Sequence, residues 1–241
     1  MQRILLLSFC LGSMVLGAPR AGAGTIFSDD FNGGASPLWG NQVGNWSATG
    51  GTYSAASPGN FPNAHSTLNF QLTDFSVDVD INHLQDGGIW LRSTEKAGTS
   101  VGIAGILLVT GGNGGTGTGL YWHVVTDGSS YGAGYNGVSG LFTPGQSDAH
   151  IKIVVSGNTY SAYVNGSTTA ATTLTTSAFS SGAVGLYDFS RQSFDNFVLS
   201  VPNAVPEPSS IVLAGLGSLL SALWLFRRPR AFHGGSGPGL A

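Results

Sequence analysis

Two aspartates, Asp78 and Asp80, alternate with apolar residues in the run FSVDVDINH. In an extended strand, Phe75, Val77, Val79 and Ile81 share one face, and Ser76, Asp78, Asp80 and Asn82 share the other. Strand rise sets the two carboxylates ~6.5–7 Å apart. The next apolar run, IWLRS, puts Ile89 and Leu91 on one face and Trp90 and Arg92 on the polar one. If the two runs form a hairpin, matching their apolar faces restricts the register, because a one-residue slip inverts every side chain. The loop Leu84 to Gly88 then sets Asp80 opposite Arg92, and a tighter loop sets Asp78 there instead. Carboxylate, guanidinium and indole on one face make a surface suited to sugars. A pyranose stacks its C–H face on an aromatic ring while its hydroxyls bond to Arg and Asp.

Three further residues can extend that face. In LYWHVV, Tyr121 and His123 alternate with Leu120, Trp122 and Val124, so only one set can line a groove; the reading taken is Tyr121 and His123 outward and Trp122 in the core. Tyr187 in VGLYDFS completes a set of Trp90, Arg92, Asp80, Asp78, Tyr121, His123 and Tyr187. The plainer reading of the same residues is an ordinary cross-strand ion pair beside packed aromatics. Gly128-Ser129-Ser130-Tyr131-Gly132 matches G-x-S-x-G in letters only, since no strand-turn-helix setting surrounds it. His65, His83, His123 and His150 have no zinc-ligand spacing. Asp29 and Asp30 near the start and Asp195 and Asn196 near the end can supply hard oxygen ligands for a structural calcium ion, or simply sit at turns and strand edges.

The elements that must position these residues are short. Alternating runs bounded by Gly, Asn and Pro predict strands at Thr25–Phe31, Trp46–Ala48, Thr52–Ala55, Ser66–Leu72, Phe75–His83, Ile89–Ser93, Val101–Val109, Gly119–Thr126, His150–Ser156, Thr159–Asn165, Ala183–Phe189 and Phe194–Val201. No helical period is present in this region. Ser156-Gly157-Asn158-Thr159 reads as a tight turn with Gly157 or Asn158 at positive φ. Gly111 to Gly119 is a glycine-rich loop with no GK[ST] after it, and so no phosphate cradle.

Composition narrows the function classes. Between Thr25 and Asn203 there are four bases (Arg92, Lys96, Lys152, Arg191) against ten aspartates and Glu95, a net charge of −7. Such a surface repels phosphate backbones, which excludes nucleic acid as a partner. Charged residues make up only 9% of the chain, which fits an extracellular β-protein with long polar loops. Cys10 is the single cysteine and lies in the N-terminal apolar run Ile4 to Leu16, behind Arg3. With Ala21-Gly22-Ala23 as a small-x-small cleavage site, residues 1–23 read as a signal peptide. The mature chain then contains no thiol, and its core must hold the fold without a disulfide.

The C-terminus carries a second signal. Pro206, Glu207 and Pro208 precede sixteen uncharged residues, Ile211 to Phe226, and a basic stop of Arg227, Arg228 and Arg230. Sixteen helical residues span roughly 24 Å against a ~30 Å hydrocarbon core, a mismatch that snorkelling arginines can absorb. This three-part order resembles the PEP-CTERM sorting signal of Gram-negative bacteria. The resemblance implies export through the inner membrane, a membrane helix at 211–226 within a signal at 204–230, recognition by an exosortase-type processing enzyme, and delivery toward an exopolysaccharide-rich cell surface. Ala231 to Ala241 run on past the basic cluster, where such signals usually end, as a tail without apolar periodicity.

The region 24–203 has its own likeness. SDDFN, SVDVDI…GGIWLR, IVVSGNTYSAYVNG and GAVGLYDFS…SFDNFVLS are together similar to concanavalin A-like jelly-roll domains, with the laminin-G-like and 3-keto-disaccharide-hydrolase-like groups nearest in pattern. The likeness implies an all-β sandwich of two antiparallel sheets, one concave, with carbohydrate commonly bound on the concave side. Retaining glucanases of this architecture carry their carboxylates on an E-x-D-x-x-E strand, which is absent here; Glu95, the one glutamate in the region, sits in a loop-like STEKAG. The expectation is therefore a surface-sorted, non-catalytic module binding carbohydrate or exopolysaccharide. A glycosidase acting on surface polysaccharide and a structural matrix protein without a ligand are the alternatives.

Overall fold

The alternation in FSVDVDIN is realised residue by residue: Phe75, Val77, Val79 and Ile81 are buried while Ser76, Asp78, Asp80 and Asn82 are half-exposed. The structure, a computed structural model, describes residues 23–111, 118–143 and 148–202. The signal peptide up to residue 22, Pro206, Glu207, Pro208, the apolar segment 211–226, Arg227, Arg228 and the tail 231–241 lie outside the described residues, as does most of the glycine-rich loop after Gly111.

Among the described residues the secondary structure is all strand, in two antiparallel sheets. Numbered in chain order, the eight-stranded sheet runs β13 (Thr172–Thr175), β12 (Thr159–Val164), β11 (Ala149–Ser156), β6 (Phe75–Asn82), β15 (Ser193–Pro202), β4 (Thr52–Ala55), β3 (Trp46–Thr49), with β1 (Ala23–Asp29) pairing the later part of β15. The seven-stranded sheet runs β10 (Gly134–Val138), β9 (Leu120–Val125), β8 (Ile103–Val109), β7 (Gly87–Glu95), β14 (Gly182–Asp188), β5 (His65–Leu72), β2 (Trp39–Asn41). Strands β5, β6 and β7 alternate between the sheets, and so do β14 and β15: this is a jelly-roll sandwich.

The sheets bury one core between them. Val77, Val79 and Ile81 of one sheet share it with Ile89, Leu91, Ile106, Leu108 and Trp122 of the other, all of them fully buried. Each such aliphatic side chain contributes roughly 1.5–3 kcal/mol, which replaces what disulfides would supply. Gly157 takes φ 53° in the turn joining β11 and β12.

This topology corrects the expected hairpin. β6 and β7 are consecutive but lie in different sheets, so their apolar faces meet across the core and not side by side. The partners of β6 are β11, with Lys152 opposite Asp78 and His150 opposite Asp80, and β15, with Asp195 opposite Asp80. Arg92 pairs with neither aspartate. A β-bulge sets Leu91 and Arg92 against Val184 alone, and Arg92 adopts φ 46° there. The bulge ends the alternation and turns the Arg92 side chain toward Tyr160, a core residue of β12.

Candidate functional site

The outward face of the seven-stranded sheet is not bare. Trp90, Ile103, Leu107, Val109, Val125 and Tyr187 form a second apolar cluster there, closed by Val101 and edged by Tyr121 and Tyr131. Three loops cover it and are joined by their backbones: Asn63 N–H donates to Val101 O (2.9 Å), and Val101 N–H to Gly128 O (2.8 Å). Trp90 Nε1 donates to Asn63 Oδ1 at 3.1 Å beneath them.

Beside these loops the face opens into a cleft of about 80 Å³ whose polar wall is Asn60, Asp86, Tyr121, His123, Tyr131 and Tyr187. Rings follow one another around it: Tyr121 to His123 at 5.1 Å, His123 to Tyr131 at 5.5 Å, Tyr131 to Tyr187 at 6.4 Å. Tyr121 and His123 also border a wider groove of about 480 Å³ walled by Gly134, Gly137, Val138 and Ser139, within the range typical of ligand sites. Glycine at 134 lets the wall close on the ring, since a Cβ there would lie 3.1 Å from Tyr121 Cδ2. Exposed Phe61 meets Tyr131 edge-on at 5.5 Å and extends the aromatic surface outward.

The hydroxyls around the cleft are largely committed. Tyr187 donates to Asn60 Oδ1, Tyr131 donates to Asn60 O (3.1 Å), and Tyr131 Oη accepts from Asn63 Nδ2 (2.6 Å). Burial pushes the Tyr121 and Tyr131 hydroxyls up to about 12 and Tyr187 higher still, so all three stay neutral donors at ordinary pH. Burial also holds His123 below the usual imidazole value, and its Nδ1 lies 3.1 Å from Ala133 O. Burial raises the Asp86 carboxyl to about 6.

The residues singled out from sequence divide into three groups. Tyr121, His123 and Tyr187 meet at the cleft, with Trp122 in the core. Trp90 and Arg92 are buried, and neither lines the cleft or the groove beside it. Asp78 and Asp80 lie on the other sheet, where Asp78 bonds Lys152 Nζ (3.0 Å) and Asp80 bonds His150 Nδ1 (2.7 Å) and Asn196 Nδ2 (2.9 Å). Asn60, Asp86 and Tyr131 were missed: all lie in stretches that read as loop, and no alternation marks them. Glu95 is exposed, but it ends β7 instead of lying in a loop, and its oxygens lie 3.0 and 3.1 Å from Nε2 of buried His65.

At the proposed calcium site, Asp29 spends both oxygens on N–H donors, from Phe31, Ser36 and the Trp39 indole. Asp30 accepts from Asn32 N, and Asp195 from Asn196 N. These carboxylates accept N–H groups of their own turns, Asn196 turns its amide to Asp80, and Asp29, Asp30 and Asn196 line one surface pocket. Among the described residues no group of three or more His, Cys, Asp or Glu side chains is placed to hold a metal ion.

A second buried carboxyl, Asp188, lies in the sandwich and not in the cleft. Its Oδ1 accepts from Ser190 N and Arg191 N (3.1 and 2.8 Å), its Oδ2 has no partner among the described residues, and burial raises it to about 7. The folded chain therefore holds this proton more tightly than the unfolded chain, whose carboxyl titrates near the ordinary 3.8. Stability from this group falls as pH rises from about 4 through about 7. Asp188→Asn keeps the Oδ1 acceptor and removes the charge. At pH 8 it is expected to raise stability by on the order of 2–4 kcal/mol, and at pH 4 to change little. Thermal melts across pH 4–8 on both proteins check this, and parallel curves would refute it.

Residues 204–228 match the PEP-CTERM protein-sorting motif, a signal for export and membrane-anchored surface sorting. No curated protein sequence matches the chain. Among solved structures, the fold is similar to the carbohydrate-binding module CBM66 from Bacillus subtilis (17% identity, 67% of this chain and 94% of that one, TM-score 0.55). It is also similar to the catalytic domain of an endo-1,3-beta-glucanase (laminarinase) from Thermotoga petrophila (11%, 76% and 99%, TM-score 0.51). A third is the CBM2 module of the evolved Dit of Lactobacillus casei BL23 phage J-1 (12%, 78% and 99%, TM-score 0.50). At these identities the likeness shows the fold, a concanavalin A-like jelly roll.

Proposed function

We propose that this chain is an exported, surface-sorted module that binds carbohydrate without turning it over. The observation that carries the reading is the arc of Tyr121, His123, Tyr131 and Tyr187 around a cleft on the outward face of the seven-stranded sheet, opening into a groove of about 480 Å³. Rings beside hydroxyl and carboxamide groups offer a sugar both an apolar surface and directed hydrogen bonds. The fold is shared with a module described as carbohydrate-binding, which supports the same reading. Asp86 is the one carboxylate in the cleft wall among the described residues. Glycoside hydrolysis generally uses two, ~5–9.5 Å apart, and this favours binding over cleavage.

The sorting motif supplies the address. An exosortase-type enzyme would recognise Pro206, Glu207 and Pro208, with 211–226 as the membrane helix and Arg227 and Arg228 on its cytoplasmic side, and would deliver residues 24–203 to a polysaccharide-rich surface in a Gram-negative bacterium. Intact-mass measurement of the surface-associated protein tests this: a chain that has lost everything beyond the Pro-Glu-Pro box supports processing, and a full-length chain opposes it.

Glycan-array binding of the full chain tests the site. Tyr121→Ala removes one stacking ring, worth about 0.5–1.5 kcal/mol, and is expected to weaken binding roughly three- to tenfold with the fold intact. Asp78→Ala, on the opposite sheet, is expected to leave binding unchanged. Equal loss in both variants, or none in either, would refute the placement.

A further inference from the structure

We propose that the Asp86 cleft selects a sugar bearing a protonated amine, the residue left when an N-acetylhexosamine of a polysaccharide loses its acetyl group. This rests on the carbohydrate-binding reading and specifies its ligand. Size gives the first argument. A cleft of about 80 Å³ holds a few waters or one projecting substituent, not a whole pyranose. The ring of a bound sugar would lie in the wider groove that shares Tyr121 and His123, and a single group would project inward.

Charge gives the second. Asp86 is 8% exposed, lines the cleft, and its carboxylate has no hydrogen-bond partner among the described residues. Two of the nearby hydroxyls are directed elsewhere, with Tyr187 and Tyr131 both donating to Asn60. No Arg or Lys stands in the cleft wall among the described residues. A buried carboxylate with neither a cation nor a donor is costly to keep ionised, and burial accordingly raises its proton affinity. An ammonium group entering the cleft supplies both charge and donors. The surrounding rings add a cation–π contribution, the chemistry by which aromatic walls hold ammonium ligands elsewhere. A hydroxyl supplies one neutral donor, and an acetamide adds bulk without charge.

The pH dependence follows. Tyr121, Tyr131, Tyr187 and His123 are the titratable groups facing Asp86 across the cleft. The tyrosines stay neutral throughout, and His123 is held below the ordinary imidazole value. As pH falls through about 6, Asp86 takes up a proton and amine binding weakens. Protonation of His123 at lower pH acts in the same direction.

Calorimetric titration of the full chain with oligomers of glucosamine, of N-acetylglucosamine and of glucose, and with choline, tests the proposal. At pH 7 the glucosamine oligomer is expected to bind at least tenfold more tightly than the other two sugars, and to lose that advantage in Asp86→Asn and, in the wild type, at pH 5. Asp86→Asn removes a buried charge, so its melting temperature at pH 7 is expected to match or exceed the wild type and show that it folds. Equal affinity for all three oligomers, unchanged in Asp86→Asn but reduced in Tyr121→Ala, would overturn amine selection and leave sugar binding standing. Choline bound more tightly than the glucosamine oligomer would overturn the sugar as the source of the amine. No binding to any oligomer would overturn both readings together.

Discussion

Arg92→Ala is expected to lower the unfolding free energy by about 3–5 kcal/mol, whether or not a glycan is present. The guanidinium is buried and makes five hydrogen bonds. Nε and Nη2 donate to Thr73 O, Nη2 also donates to Gly157 O, and Nη1 donates to Phe179 O and Tyr160 Oη, at 2.5–3.1 Å. Its plane also lies 5.3 Å from the Tyr160 ring centre, and Asp74 is 3.5 Å away. One side chain thus joins the β5–β6, β11–β12 and β13–β14 connections at a single end of the sandwich. Truncation leaves the Thr73 and Gly157 carbonyls without this donor, and Phe179 O with only the long bond from Tyr160 Oη (3.4 Å); an unpaired carbonyl costs about 1–3 kcal/mol where water cannot reach. Arg92→Lys restores the charge but not the fork, and is expected to recover only part of the loss. Urea denaturation followed by tryptophan fluorescence measures it. A wild-type midpoint for Arg92→Ala would mean that the side chain lies outside the fold.

The second large effect is at Trp90. Trp90→Ala is expected to cost about 3–5 kcal/mol, because the indole is fully buried under the loops on the outward face. Its removal also frees Asn63, which anchors both Trp90 Nε1 and the Tyr131 hydroxyl. Stability and glycan affinity should therefore fall together in Trp90→Ala, whereas Tyr121→Ala should lose affinity alone. Denaturation and glycan titration on the same preparations separate the two patterns. A Trp90→Ala protein of full stability with abolished binding would restore the indole as a direct ligand contact.

How much of this was legible depends on what an alternation can encode. In Phe75–Asn82 and Leu120–Val125 the period of two sets which side chains enter the core, and the structure agrees at Val77, Val79, Ile81 and Trp122. A period says nothing about which strand lies alongside. The same pattern in β6 and β7 fits a hairpin and an opposed pair across a core equally well, and the sandwich takes the second. Arg92 defeated the pattern because a bulge interrupts it, and a bulge at a non-glycine residue has no clear mark in one sequence. Trp90 does point to the outward face; what buries it are loops folded back from residues 63 and 101, distant in the chain. β2, β10 and β13 are three to five residues long, too short to show a period. Asp86 and Tyr131 acquire their meaning only when Gln85-Asp86-Gly87 and Ser130-Tyr131-Gly132 are brought to one cleft.

The strand that leads into the sorting segment has a mechanical consequence. β15 is not an edge: β6 runs along one side of it from Ser193 to Ser200, while β4 at Phe194 and β1 from Phe197 to Pro202 occupy the other. A pull on the chain beyond residue 202, directed along β15, loads both ladders in shear, so many hydrogen bonds must fail at once. An outermost strand would peel away one bond at a time. A load applied at the carboxyl end thus enters the sheet through a strand that is laddered on both sides.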